Sequence, residues 1–157
     1  MEERLMFNET IRNMLEARKF LTASPEETVT HVCKLMRAKK AGAVLVIMGG
    51  NLTGIFTERD VVFRVIAQDL NPEKTSLLKV MTPEPMALGP DKTYGHALLL
   101  MHENGFRHMP VVENGKPIGI ISSRNAMDPD MQEFVWEERR RNYYLSRLQP
   151  KHATAAR

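Results

Sequence analysis

Gly54-Ile55-Phe56-Thr57-Glu58-Arg59-Asp60 and Gly119-Ile120-Ile121-Ser122-Ser123-Arg124-Asn125 are one pattern written twice, 65 residues apart. Sliding residues 25–60 onto 90–125 needs no gap and gives ten identities in 36 positions, where ordinary residue frequencies would give roughly two. Pro25/Pro90, Thr28/Thr93, Leu35/Leu100, Met36/Met101, Val46/Val111, Gly54/Gly119 and Arg59/Arg124 are among them. Upstream, Met14 and Met81 also correspond if the first copy carries two extra residues before Pro25. A duplication of this length sets the architecture. The position where the copies differ, Asp60 against Asn125, bears on function.

Each copy reads in the same order. A short extended segment (Phe20-Leu21-Thr22; Met86-Ala87-Leu88) precedes a proline, and Thr28 or Thr93 then suits a helix N-cap. Apolar residues follow at helical spacing: Val29, Val32, Cys33 and Met36 in one copy, Tyr94, Ala97, Leu98 and Met101 in the other. Two β-rich runs, Val44 to Met48 and His108 to Val112, each lead into a turn containing glycine, Gly49-Gly50 and Asn114-Gly115. The return strands, Leu52 to Phe56 and Pro117 to Ile121, enter the repeated pattern. A second helix follows, with Val61, Val62, Val65 and Ile66 in the first copy, and is cut short by Asp128-Pro129 in the second. The fold class is therefore α+β (α/β): two β-α-β-β-α repeats. A single unit of about 55 residues would leave most of a sheet face bare, so the two are expected to pack sheet to sheet. The expected division is 8–70, 71–127, and a C-terminal segment 128–157.

Composition excludes several classes. Of 157 residues, 43% are hydrophobic and 26% charged, as in an ordinary soluble domain. No apolar run approaches the roughly 20 residues that span a bilayer. Met1-Glu2-Glu3-Arg4 lacks the basic-then-apolar layout of a secretory signal. The one cysteine, Cys33, forms no intramolecular disulfide and suits a reducing, cytoplasmic setting; its alignment with Leu98 reads as a buried small hydrophobe. The net charge of +3 sits late: six cations from Arg139 to Arg157 have no acid among them, and the remainder is net acidic.

The Thr-led helix ending in Met36 or Met101, then Arg107-His108-Met109-Pro110-Val111-Val112, then Gly-Ile-Phe-Thr-x-x-Asp, occur in order, and most occur twice. Over roughly residues 8–127 the chain resembles a tandem pair of cystathionine β-synthase (CBS) domains, a Bateman module of the stand-alone bacterial type. The resemblance implies two repeats related by a pseudo-two-fold axis. It also implies adenine nucleotides (AMP, ADP, ATP or NAD(H)) bound in clefts between the repeats, a homodimer, and a regulatory role without an obligatory cofactor.

Such a ligand needs a carboxylate for two ribose hydroxyls, cationic and hydroxyl donors for phosphate, and an apolar slot for the base. Carried over by the resemblance, the first cleft has Asp60 for ribose and Thr57, Arg107 and His108 for phosphate. Ile55 and Met86 form its apolar walls, and Arg124 is a further phosphate donor. Arg59, Met109 and Pro110, inside the same motifs, complete the set. The second cleft would use Leu21, Gly42, Ala43, Ser122 and Asn125. Its carboxylate has become an amide, and Gly42 and Ala43 stand where the other cleft has Arg107 and His108, so it is expected to be empty or weak. Taken as residues alone, Thr57 equally suits an N-cap, and Asp60 a first-turn carboxylate favoured by the helix dipole.

Nothing in the sequence arranges a nucleophile, base and acid, and there is no P-loop, His-Glu-x-x-His or Cys-x-x-Cys. An enzyme is not expected. His31 and His96 correspond between copies but lack a second ligand at i+4, where Leu35 and Leu100 stand, so no metal site is expected. Most of the 11 methionines fall at core positions. After Asp128-Pro129 a helix from 130 to about 148 is expected, with Met131, Phe134, Val135, Tyr144, Leu145 and Leu148 as an intermittent stripe. It would pack on the chain itself or on a second copy. As an alternative, Arg139, Arg140, Arg141 and Arg147 beside Tyr143 and Tyr144 offer a nucleic-acid or protein surface. Beyond Pro150 the tail reads as disordered.

The sequence thus points to a cytoplasmic module that binds an adenine nucleotide and passes occupancy to an unknown protein effector. A scaffold or nucleic-acid-binding protein acting through its C-terminal helix, and a ligand-free structural dimer, are the alternatives.

Overall fold

The structure, a computed structural model, describes residues 5–15 and 19–126. The chain divides into two compact units, Met1–Ser123 and Arg124–Arg157. The first holds both repeats. In the second the described residues are Arg124 to Ala126, the end of a 3-10 turn that begins at Ser123. The C-terminal helix expected after Pro129 lies outside the described residues.

In chain order the elements are α1 (Leu5–Asn8), α2 (Ile11–Leu15), β1 (Thr22–Ala23), α3 (Val29–Lys39), β2 (Ala43–Met48) and β3 (Asn51–Thr57). A helical run follows, an α-turn (α4, Glu58–Asp60) continued as a π-helix (Val61–Val65) and a 3-10 turn (Ile66–Gln68). Then come α5 (Leu77–Val80), β4 (Thr82–Pro83), α6 (Tyr94–Asn104), β5 (His108–Glu113) and β6 (Lys116–Ser122). One sheet has the order β1-β2-β3-β4; the other is the β5-β6 hairpin.

The duplication is visible at each local signal. Thr28 and Thr93 are N-caps, and their hydroxyls accept from the backbone N–H of His31 (3.3 Å) and His96 (3.2 Å). Each satisfies an amide that the first helical turn leaves unpaired. Both helices end in the left-handed region, at Lys40 (φ 52°) and Gly105 (φ 73°). Both hairpins close through two residues of positive φ, Gly49-Gly50 and Asn114-Gly115, the geometry that matches strand twist. Both ladders slip by one residue at the same place, after Val46 and after Val111.

Strand alternation divides β2 and β3 between two cores. Val44, Val46 and Phe56 face α3, where they meet Val29, Val32, Met36, Val65, Leu77, Val80 and Met81. Ala43, Leu45 and Ile55 face the other way and pack with Phe20, Ile47, Leu52 and Ile120 of β6, which brings the two hairpins face to face. A side chain as buried as Phe56 or Leu45 contributes roughly 1.5–3 kcal/mol. Cys33 is less buried than its alignment suggests: it lies half-exposed at the edge of the first core.

The segment that precedes each repeat serves the other. α5 packs under the first repeat: Val29 N–H donates to Thr75 O and Leu77 N–H to Glu27 O, both at 2.9 Å. At the corresponding place, Ile11 N–H donates to Lys92 O and Tyr94 N–H to Glu9 O, also at 2.9 Å, so α2 packs under the second. Two bridges, Thr28↔Ser76 and Thr10↔Thr93, repeat the exchange. The repeated glycines follow from it. Met81 lies against Gly54 and Leu15 against Gly119, where a Cβ would collide with their side chains. Arg12 adds an exposed pairing across the same seam, to Asp91 (3.1 Å) and Glu113 (2.6 Å).

The run after Asp60 departs from its sequence reading. An α-helical spacing would bury Val61, Val62, Val65 and Ile66 together. The wider π-turn turns only Val61 and Val65 inward, and leaves Val62, Phe63 and Ile66 more than half exposed.

Candidate functional site

β3 delivers Thr57 in extended conformation (φ −128°, ψ 166°), and the chain turns at once into α4. Asp60 is buried at the end of that turn. Its Oδ2 accepts from Thr57 N–H (2.8 Å) and from the Thr57 hydroxyl (3.1 Å), closing a capping box. Its Oδ1 faces Arg64 Nε at 3.4 Å. The Arg64 Nη1 donates to the carbonyls of Val80 (3.2 Å) and Met81 (2.8 Å), which ties the carboxylate to the end of α5. A carboxylate oxygen accepts about two hydrogen bonds, so Oδ1 retains accepting capacity.

Gly42 is where the repeats meet. Its carbonyl accepts from Glu58 N–H (3.2 Å), beside the Ala43↔Thr57 pair that opens the β2-β3 ladder. In the second repeat Arg107 O accepts from Ser123 N–H (2.9 Å), beside His108↔Ser122. A Cβ on Gly42 would lie 3.1 Å from His108 Nε2 and 3.3 Å from Glu58 Oε2. The His108 side chain of the second repeat and Glu58, two residues before Asp60 in sequence, thus both approach position 42. Gly42, assigned by sequence to the second cleft, shares its surroundings with His108, assigned to the first.

The other expected residues fall into three groups. Ile55, Met109 and Pro110 are buried, Ile55 in the core between the hairpins. Arg107 and Met86 are exposed, and among the described residues no hydrogen bond or ion pair of the Arg107 side chain is found. Arg59 is exposed and crosses to the second repeat, donating to Gly105 O (3.2 Å) while its guanidinium lies 5.4 Å from the Phe63 ring centre. In the second set, Leu21 accepts from Leu45 N–H through its carbonyl, Ala43 is buried, and Ser122 O accepts from the Tyr94 hydroxyl (3.0 Å). Arg124 and Asn125 belong to the 3-10 turn at the start of the second unit.

The sequence reading left out Arg64, and it named Glu58 only as an acid of the candidate site, with no role. Arg64 had a signal, since it stands four residues after Asp60 on one helical run. Glu58 had none, because its place beside His108 depends on how the hairpins meet. Glu58 also lines a cavity of about 520 Å³ with Cys33, Met36, Arg37, Lys40, Ala41, Val61 and Val62. No expected ligand residue is among those walls. Burial pushes the Cys33 thiol pKa up. Among the described residues no group of three His, Cys, Asp or Glu could hold a metal, and no helix is long and apolar enough to cross a membrane.

The CBS domain family model matches residues 11–67 and 77–128. The CBS domain-containing protein CBSCBSPB2 of Arabidopsis thaliana is 41% identical over 108 residues, covering 68% of this chain and 20% of its own length. The chain thus spans about a fifth of such curated relatives. A CBS-domain containing protein of Agrobacterium tumefaciens superposes with a TM-score of 0.68 at 30% identity, covering 80% of this chain and 98% of that one. A CBS domain protein of Pyrobaculum aerophilum, complexed with AMP, superposes with a TM-score of 0.68 at 20% identity, over 76% of this chain and 91% of that one. Two matched segments, the exchanged helices and the paired hairpins agree: the chain belongs to the CBS domain family and carries two such domains in tandem.

Proposed function

We propose that this protein is a regulatory ligand-sensing module that binds an adenine nucleotide between its two CBS repeats and relays occupancy to a partner. One observation carries the reading. A buried, oriented carboxylate, Asp60, stands at the end of the turn that follows β3, and His108 of the other repeat approaches Gly42, beside the start of the β2-β3 ladder. Asp60 would accept from the ribose hydroxyls, with His108 and Arg107 toward phosphate. The AMP complex of the Pyrobaculum protein supports the ligand class. With Asn125 in place of an aspartate, the second cleft binds weakly or not at all. No catalytic step is assigned to the module, and its setting in this reading is the cytoplasm.

Relay requires the ligand to favour one arrangement of repeats or subunits over another. A homodimer is part of the reading, supported by Val62, Phe63 and Ile66, large apolar side chains left more than half exposed. Isothermal titration with AMP, ADP, ATP and NADH tests the function. The expected result is one site per chain; no binding up to millimolar concentration by any of them overturns the reading.

A further inference from the structure

Position 42 has no side chain, and two side chains approach the place where one would begin. His108 Nε2 and Cε1 would lie 3.1 and 3.3 Å from a Cβ there, and Glu58 Oε2 3.3 Å. Gly42 is not among the residues of positive φ, so the backbone does not call for glycine; a Cβ there would stand in tight contact with both side chains. The corresponding residue of the second repeat is Arg107. Where one repeat offers a guanidinium, the other offers a position without a side chain that an imidazole and a carboxylate both approach. Glu58 is exposed and His108 half-buried, so both remain within reach of a ligand.

We propose that Glu58 is a specificity-determining residue, whose carboxylate beside His108 selects a nucleoside monophosphate over the triphosphate. This inference rests on the adenine-nucleotide reading above. A ligand that places phosphate near His108 also places it near Glu58. Each further negative charge about 5 Å from a carboxylate in a water-like environment weakens binding about fourfold. The two extra charges of a triphosphate amount to on the order of tenfold, reduced by salt. The cation opposes the first phosphate's repulsion; the acid penalises the lengthening chain.

The test is titration of AMP and ATP, in EDTA to remove divalent cations, into wild type, Glu58→Gln and Glu58→Asp, at 0.05 and 0.5 M salt. Wild type is expected to prefer AMP. Glu58→Gln should lower the AMP-to-ATP affinity ratio about tenfold, Glu58→Asp should keep most of it, and high salt should shrink the difference. A damaged fold would weaken both ligands alike and leave the ratio unchanged. An unchanged ratio, with both nucleotides bound, overturns the role of Glu58 and leaves the nucleotide reading standing. No binding of either nucleotide to any of the three proteins overturns both.

Discussion

Arg64 reaches back one helical turn to Asp60, with Nε 3.4 Å from Oδ1, while its Nη1 holds the carbonyls of Val80 and Met81. The carboxylate proposed for ribose is therefore also a structural group, and removing it has two consequences that must be separated. Asp60→Ala loses the acceptor of Thr57 N–H as well as the Arg64 partner and should cost about 1–2 kcal/mol in urea unfolding. Asp60→Asn keeps the shape and one oxygen, and should cost about 1 kcal/mol or less. Its AMP affinity should nevertheless fall about tenfold or more, because a charged acceptor for two hydroxyls is gone. Unchanged affinity in Asp60→Asn would remove Asp60 from the ligand site.

The glycines of the repeated pattern are governed by the exchanged helices. Gly119→Ala would drive a methyl group into Leu15, and Gly54→Ala into Met81 with Thr82 O close behind at 3.1 Å. Each should cost about 1–3 kcal/mol by overpacking. Leu15→Ala in the Gly119→Ala background should recover part of that loss, a coupling of about 1 kcal/mol in a double-mutant cycle. Strict additivity would mean that α2 does not pack on β6.

This exchange marks the limit of what the sequence made legible. Caps, glycine hairpins and the alternation of β2 and β3 are local, so residues such as Thr28, Thr93 and Gly49-Gly50 announced them. The partners of α2 and α5 were not legible, because helices of five and four residues carry too little periodicity to show a face. The same holds for the site. Thr57 and Asp60 were readable as a pair within one motif, whereas the meeting of His108 with Gly42 and Glu58 is a product of hairpin packing. The exposed face of the run after Asp60 was misread because a π-turn replaces the α-helical period assumed for it.

Lys40 occupies the left-handed cap of α3 at φ 52°, where the other repeat has Gly105. A side chain in that conformation costs about 1 kcal/mol that glycine avoids, offset in part by the greater freedom of glycine in the unfolded chain. Lys40→Gly should therefore raise stability by about 0.5 kcal/mol, read as a higher urea midpoint at constant slope. Gly105→Lys should do the reverse, since Gly105 holds the same left-handed conformation. A lower midpoint for Lys40→Gly would show that the lysine side chain makes up for its backbone strain.

Burial raises the Cys33 thiol pKa, which favours the neutral form in the folded state. Two results follow with one sign. Alkylation by iodoacetamide, which requires the thiolate, should be slower in the native protein than in urea between pH 7 and 9, and should accelerate as pH rises through the folded value. Stability contributed by the neutral thiol is complete below the unfolded pKa and is lost as pH rises through the folded one. Cys33→Ala should flatten that alkaline loss. Equal alkylation rates in folded and unfolded protein would contradict the burial.

The pH dependence expected of phosphate binding by His108 is overlaid by the ligand's own titration. A free imidazole loses its charge near pH 6.5, so a phosphate held by His108 should be held less well as pH rises from about 6 to 8. Phosphate itself gains charge through a second ionisation near pH 6, which works in the opposite direction wherever cations such as Arg107 face it. The raw pH profile of AMP binding mixes these effects; the ratio of wild-type to His108→Gln affinity removes the contributions that the ligand, Arg107 and Glu58 make alike in both proteins. That ratio should fall several-fold between pH 6 and pH 8, whereas the loss caused by Arg107→Gln should persist at both and grow somewhat toward pH 8, as the phosphate gains its second charge. A ratio that stays constant across this range places His108 away from the phosphate, however tightly AMP binds.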